Sequence, residues 1–222
     1  MWSKLKRLFS KETQCDEAFR ECLDVLRESY TMVNDAIASL RTEGAMEIDI
    51  YARDRKINRF ERRVRRKIVT HLAISSNPDV ISSLVLTAVV IDIERIGDYT
   101  KNIVELAAIH EKPFRPGELD GQILEIEETV KRLLHDLPGA LESSDVEMAR
   151  GIIGDHQVLS DQVEELIEDL VKGKTLTHDS GEAVTAALYL RNLKRVSAHV
   201  KNVATSVVNP YYRIGFREKK FS

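Results

Sequence analysis

Residues 91–104 read IDIERIGDYTKNIV, and one hundred positions later residues 191–204 read RNLKRVSAHVKNVA. The two stretches align without a gap: Arg95, Lys101 and Asn102 meet Arg195, Lys201 and Asn202, and Ile93/Leu193, Ile96/Val196, Gly97/Ser197 and Ile103/Val203 are conservative pairs. Each lies in a run whose apolar residues recur every three or four positions, the period of a helix with one buried face. Three identities carry little weight alone, but the chain on either side follows the same plan. Lys112-Pro113-Phe114-Arg115-Pro116-Gly117 cannot continue a helix. Before it, three periodic segments run from about Lys11 to Leu40, Met46 to Ser75 and Asp79 to His110; after it, three more are marked by Leu119 to Leu137, Met148 to Leu170 and Val184 to Val203. The expected fold is all-α, two tandem antiparallel three-helix bundles related by an internal repeat, over residues 12–111 and 117–208. An amphipathic segment (1–11) precedes them and an aromatic, basic tail (209–222) follows. Pro138-Gly139 is expected to kink helix four or end it early.

Composition agrees. Only five prolines, ten glycines and 6% aromatic residues in 222 positions exclude an all-β or collagenous chain. Net charge is −3, from 33 basic and 36 acidic residues, which gives no global pull toward nucleic acid. No apolar run approaches the ~20 residues of a membrane span and no signal-peptide core opens the chain, so a cytoplasmic protein is expected. Cys15 and Cys22 are seven apart on one helical stripe, about 10 Å by helix rise, which forbids a disulfide and reads as two core thiols.

The informative feature is acid where a core residue belongs. On helix two the column 50, 54, 57, 61, 64, 68 reads Ile50, Asp54, Ile57, Glu61, Val64, Ile68. On helix three the column 84, 88, 91, 95, 98, 102 reads Leu84, Ala88, Ile91, Arg95, Asp98, Asn102, an inward face that turns polar halfway. Unpaired buried carboxylates cost several kcal/mol, so these acids must be paired, protonated, at a bundle edge, or bound to a cation. Asp54 with Asn58, and Glu94 with Asp98, have i,i+4 spacing and share helix faces. With Glu61 they form a candidate set of hard oxygen ligands for Mg, Ca, Mn or iron, and no His or Cys stands at zinc spacing. The competing reading is a buried ion-pair network in which Arg95 neutralises Asp98 and Glu61 without metal.

The same residues carry a resemblance. Asp54-Arg-Lys-Ile57-Asn58-Arg-Phe-Glu61 resembles the PhoU family's helix-two motif Asp-x-x-Ile-Asp-x-x-Glu, and Asp92-Ile-Glu94-Arg95-Ile-Gly97-Asp98-Tyr99-Thr-Lys-Asn102-Ile is similar to its Asp-Leu-Glu-Arg-Ile-Gly-Asp-His-x-x-Asn-Ile. The resemblance spans about residues 12–208 and implies two tandem three-helix bundles with one acidic motif pair each. It also implies acids able to bind iron or other metal clusters, and a protein that couples a membrane phosphate transporter to a phosphate-sensing kinase or serves the transporter as an accessory. Departures narrow this. Asn58 replaces an acid and Tyr99 the motif histidine. In repeat two Asn192, Lys194 and Ala198 replace the three acids of helix three, and on helix five Asp155 remains while Leu159 and Gln162 replace the others. A divalent metal or iron is therefore expected only in repeat one, with His199 and Asn202 packing or hydrogen-bonding in repeat two.

Residues 53–67 hold nine basic side chains, among them Arg62, Arg63 and Arg66. They read as a solvated face paired with acids of helix one, or as a surface for lipid headgroups or an acidic protein; nucleic acid is set aside because no recognition motif accompanies them. At the N-terminus Trp2, Leu5, Leu8 and Phe9 share one face and Lys4, Lys6 and Arg7 lie away from it, a pattern suited to a membrane interface or to docking on the bundle. The tail Tyr211-Tyr212-Arg213-Ile214-Gly215-Phe216-Arg217 has similar character, or is a ragged terminus. The leading reading is a non-enzymatic, PhoU-like regulator or accessory of phosphate uptake, a homodimer that binds a transporter or sensor kinase, peripheral to the inner face of the membrane. The alternatives are a carboxylate-bridged metal enzyme or storage bundle, against which the missing Glu-x-x-His pairs count, and a ligand-free helical scaffold.

Overall fold

The computed structural model describes residues 13–42, 49–110, 112–174 and 180–218. They form α1 (Gln14–Arg41), α2 (Ile50–Ile74), α3 (Val80–His110), α4 (Asp120–Ser143), α5 (Val146–Val171) and α6 (Ser180–Val208), with 3-10 turns at Gly117–Leu119 and Tyr211–Arg213. No strand occurs among the described residues, and none of their helices is long and apolar enough to cross a membrane.

Short polar side chains start the helices by accepting amide protons that a first turn leaves free. Thr13 and Asp16 form a reciprocal capping box at α1. Asp49, Asp79 and Asp145 accept from Ala52, Ser82 and Met148 at 2.8, 2.9 and 3.0 Å. Contrary to expectation, α4 does not stop at Pro138 but continues to Ser143. Pro138 is buried with Leu137, Ala140 and Leu141; apolar burial on both sides of the ring outweighs the one backbone hydrogen bond it removes. The turn comes instead at Ser144, in left-handed backbone (φ 54°).

In the first bundle α1 and α2 run antiparallel. Lys67 reaches Glu17, Arg63 reaches Glu21, Lys56 reaches Glu28 and Arg53 reaches Asp35, at 2.6 to 3.2 Å. Cys22, Leu26 and Val33 of α1, Ile57, Phe60, Val64 and Ile68 of α2, and Val85, Val89, Ile96 and Ile103 of α3 fill its centre. The row read as the inward face of α3 turns outward instead: Leu84 is 36% and Ile91 41% exposed, and Val184 and Leu188 repeat this on α6. Helix α3 is apolar around most of its first half, and only the faces toward its own bundle and toward the second repeat are covered; the third stays at the surface.

The repeats meet where α3 crosses α6 antiparallel, so that equivalent residues face each other. Tyr99 stacks on His199 (centroids 5.6 Å apart, planes 20° apart), and Asp92 Oδ1 lies 2.7 Å from His199 Nδ1 and accepts from Asn202 Nδ2 at 2.9 Å. A second joint is built on the linker. Phe114 N–H donates to Leu40 O at 2.9 Å, and its buried ring lies under the Arg41 guanidinium and edge-on to Tyr189. Arg41 Nε and Tyr189 Oη both donate to Glu127 Oε1, at 2.9 and 2.7 Å, and Arg41 also pairs with Asp120. The tail is not ragged through Glu218: Asn209 Nδ2 donates to Arg213 O and Phe216 O, Gly215 N–H donates to Thr205 Oγ1 at 2.7 Å, and Arg150 holds Glu218.

Glu127 is 2% exposed, so its charge rests on Arg41. Replacing Arg41 with Met should cost about 3–5 kcal/mol, because it leaves a buried carboxylate unpaired. The double variant Arg41→Met/Glu127→Leu should recover most of that loss in thermal melts.

Candidate functional site

The acids of repeat one gather along the seam between α2 and α3. Asp54, Asn58 and Glu61 stand on successive turns of α2, facing Glu94, Asp98 and Lys101 of α3. Lys101 Nζ sits between the helices, 3.0 Å from Asp54 Oδ1 and 3.5 Å from Asp98 Oδ1. Asn58 Nδ2 donates to Asp54 Oδ2 at 3.1 Å. Arg95 approaches Asp98 (3.1 Å) and Glu94 (3.5 Å) but is 52% exposed, and Glu61 pairs with Arg65 at 2.7 Å. The buried network centred on Arg95 is thus corrected: the internal cation is Lys101, and Arg95 lies on the rim. Burial opposes the Lys101 charge, but hydrogen bonding and attraction to Asp54, with the Asp98 charge, hold its pKa above the ordinary lysine range. Glu94 is pushed up, first by burial and then by the Asp98 charge.

Hard carboxylate and amide oxygens suit a hard cation. As arranged, they do not fit one: among the described residues no group of three or more His, Cys, Asp or Glu side chains converges as a metal site, and the Lys101 ammonium fills the gap between Asp54 and Asp98. Of the other predicted residues, Arg62 and Arg66 lie exposed on the outer side of α2 and Arg63, also exposed, reaches Glu21 of α1, while Trp2, Leu5 and Phe9 fall outside the described residues.

Repeat two reverses the charge of this seam. Lys194 stands where Glu94 does and pairs with Glu164, and Ala198 replaces Asp98. Lys201, the counterpart of Lys101, has no carboxylate within ion-pair distance among the described residues and donates to Asn202 Oδ1 (2.8 Å) and, from the tail, Gly215 O (3.0 Å). Burial pushes its pKa down. The register of α5 also differs from the expected one. Gly97 leaves room for Ile57, whose Cδ1 would lie 2.6 Å from an added Cβ, and at the equivalent place Ser197 meets His156 (Oγ to Nδ1, 3.0 Å). His156 therefore matches Ile57 and Ile153 matches Asp54. Asp155 is not a surviving seam acid; it faces α4 and pairs with Arg132. Ser197 gives its own proton to Lys194 O at 2.8 Å, so it accepts from His156 Nδ1–H. Burial, then Lys201 and Lys194, push the imidazole down to about 4.

Sequence reasoning missed three participants: Lys101 as the seam cation, Asp92 as the acceptor joining the repeats, and His156. The aligned lysines at 101 and 201 were the available signal for the first; nothing in the letters marked the other two roles.

The PhoU domain, as a family model, matches residues 19–107 and again residues 123–207. The chain belongs to the PhoU family. The structure is similar to that of PhoU from Pseudomonas aeruginosa, with a TM-score of 0.75 at 20% identity over 88% of this chain and 95% of that one. It is also similar to the phosphate transport system regulatory protein PhoU from Streptococcus pneumoniae, with a TM-score of 0.72 at 16% identity over 87% and 93%. No curated protein matches the chain in sequence. The expected family and the all-α tandem fold hold, and the two matches fall on the two bundles.

Two predictions follow the geometry of this PhoU-family seam. Lys101→Met should lower stability by about 1–2 kcal/mol at neutral pH, discounted for partial exposure, whereas Arg95→Met should stay within about 0.5 kcal/mol; the opposite ranking in denaturant titrations would return the central role to Arg95. His156 is held neutral in the fold, so its contribution is complete above the unfolded value of 6.5 and is lost as pH falls from there through about 4. That loss amounts to at most about 3–4 kcal/mol at ~1.4 kcal/mol per pKa unit, and a His156→Gln chain should show a flatter stability profile across this window.

Proposed function

We propose that this chain is a non-catalytic regulator or accessory of phosphate uptake that works on the cytoplasmic side of the membrane by binding a phosphate transporter or its sensor kinase. The observation that carries this reading is the double PhoU domain, each copy a complete three-helix bundle, together with a structural neighbour that is itself a phosphate transport system regulatory protein. The seam supports binding rather than chemistry: its charged groups are engaged with one another. The outward apolar rows of α3 and α6 offer surface for a partner protein or for the second subunit of a homodimer.

The tagged chain, recovered from its native cells at high and at low phosphate with its bound proteins identified, tests this. Components of a phosphate transporter or a sensor kinase are expected. Their absence under both conditions would overturn the proposal.

A second reading keeps a divalent metal or iron ion in repeat one, on Asp54, Glu94 and Asp98 with Asn58 or Glu61 assisting. A charge count favours it: the four acids Asp54, Glu61, Glu94 and Asp98 face three cations, Lys101, Arg95 and Arg65. Binding would require Lys101 to withdraw. Metal content should then fall in Asp98→Ala and rise in Lys101→Ala; equal content in both would sink the assignment.

A further inference from the structure

Of the nine basic side chains in residues 53–67, five have acidic partners. Arg53, Lys56, Arg63 and Lys67 reach α1 and Arg65 reaches Glu61. The four without a partner among the described residues are Arg55, Arg59, Arg62 and Arg66, all exposed. Their spacing is 4-3-4, which puts them in one line along the outer face of α2 over about 16 Å. The same line on α5, in the register set by Ile57 and His156, reads Gly154, Val158, Asp161 and Glu165. The stripe therefore belongs to repeat one and is not demanded by the bundle.

The line does not end in polar surface. It continues toward Val69 and Ile74, 65% and 76% exposed, and across the corner to the exposed Val80 and Ile81 at the start of α3. This corner lies at the end of the bundle where α1 begins, since Lys67 reaches Glu17. Thr13, the N-cap of α1, stands at that end, and the sequence before it pairs an apolar set (Trp2, Leu5, Leu8, Phe9) with Lys4, Lys6 and Arg7.

We propose that this end of repeat one docks on an anionic lipid surface, the arginines on the headgroups and the Ile74–Ile81 corner at the acyl boundary. Two features at one end, each cationic with an apolar edge, are met together by a bilayer. An acidic helix would satisfy the stripe alone. The proposal goes beyond the regulatory reading and does not depend on it, because lipid binding is measured on the protein alone.

Sedimentation of the full chain with vesicles of phosphatidylcholine containing about 30% phosphatidylglycerol, against phosphatidylcholine alone, at about 50 and 500 mM salt, tests it. Binding to the anionic vesicles alone is expected, weakened at least about tenfold by the higher salt. Each arginine near an anionic leaflet is worth roughly fivefold, so Arg55→Gln/Arg59→Gln/Arg62→Gln/Arg66→Gln should weaken binding by about a hundredfold or more with helicity and melting unchanged. Ile74→Ser/Ile81→Ser should weaken it about tenfold. A control that removes equal charge from repeat two, Arg132→Gln/Arg150→Gln/Lys172→Gln/Lys174→Gln, should leave it within about twofold. Failure of the full chain to bind anionic vesicles at low salt overturns the proposal, as does a quadruple α2 variant that binds like wild type, or a control that loses as much. If vesicles are ignored while a poly-glutamate peptide binds the stripe, the surface belongs to an acidic protein; if salt-sensitive self-association appears instead, it belongs to a second copy. Neither result alters the family assignment.

Discussion

The antiparallel crossing of α3 and α6 is the constraint on which the rest of this molecule depends. Equivalent residues must meet there, so each side chain near the crossing faces its own counterpart or that counterpart's neighbours. Tyr99 stacks on His199, and Asp92 takes both the His199 imidazole and the Asn202 amide. A symmetric pair of aspartates would double the buried negative charge at this place; Asn192 in the second repeat avoids that. Divergence between the copies thus begins where they touch.

From the crossing outward the two seams have taken opposite electrostatic courses. In repeat one a lysine on α3 is surrounded by acids, and its attraction to them offsets their partial burial. In repeat two the acids at these positions are gone, the equivalent lysine turns to a tail carbonyl, and a neutral histidine fills the position of Ile57. The folded tail follows from this change: Gly215 supplies the acceptor that no side chain of α5 offers, and Asn209 and Thr205 hold the tail in place to do so. Of the two sets of predicted ligand positions, only the first keeps acids on both helices, and there the chain already provides a cation of its own.

Distribution of charge on α2 shows how packing selects among similar residues. Nine cations lie within fifteen positions. Those whose azimuth brings them over α1 find a ladder of glutamates and an aspartate, one is held by Glu61 on its own helix, and the remaining four form the exposed line. Once α1 and α3 are packed against α2, helical pitch makes that sorting, since a step of 100° per residue carries 55, 59, 62 and 66 to the side farthest from both neighbours.

By itself the sequence determined the number of helices and, the end of α4 apart, their approximate limits, the break at Pro113–Gly117, the tandem repeat and the row of acids on α2, because caps, prolines and apolar period act over one or two turns and need no partner. It left open which row of α3 faces inward: Leu84 and Ile91 have the same period as Val85 and Val89, and period says that faces differ without saying what lies opposite. Pro138 read as a kink or an early end because the burial that carries α4 past it comes from other helices. The choice of Lys101 over Arg95, the two-residue shift that puts His156 opposite Ser197, and the separation of four unpaired arginines from five paired ones were decided only by the tertiary structure. Each depends on the azimuth and height at which one helix meets another, and those are set by the summed packing of the whole bundle.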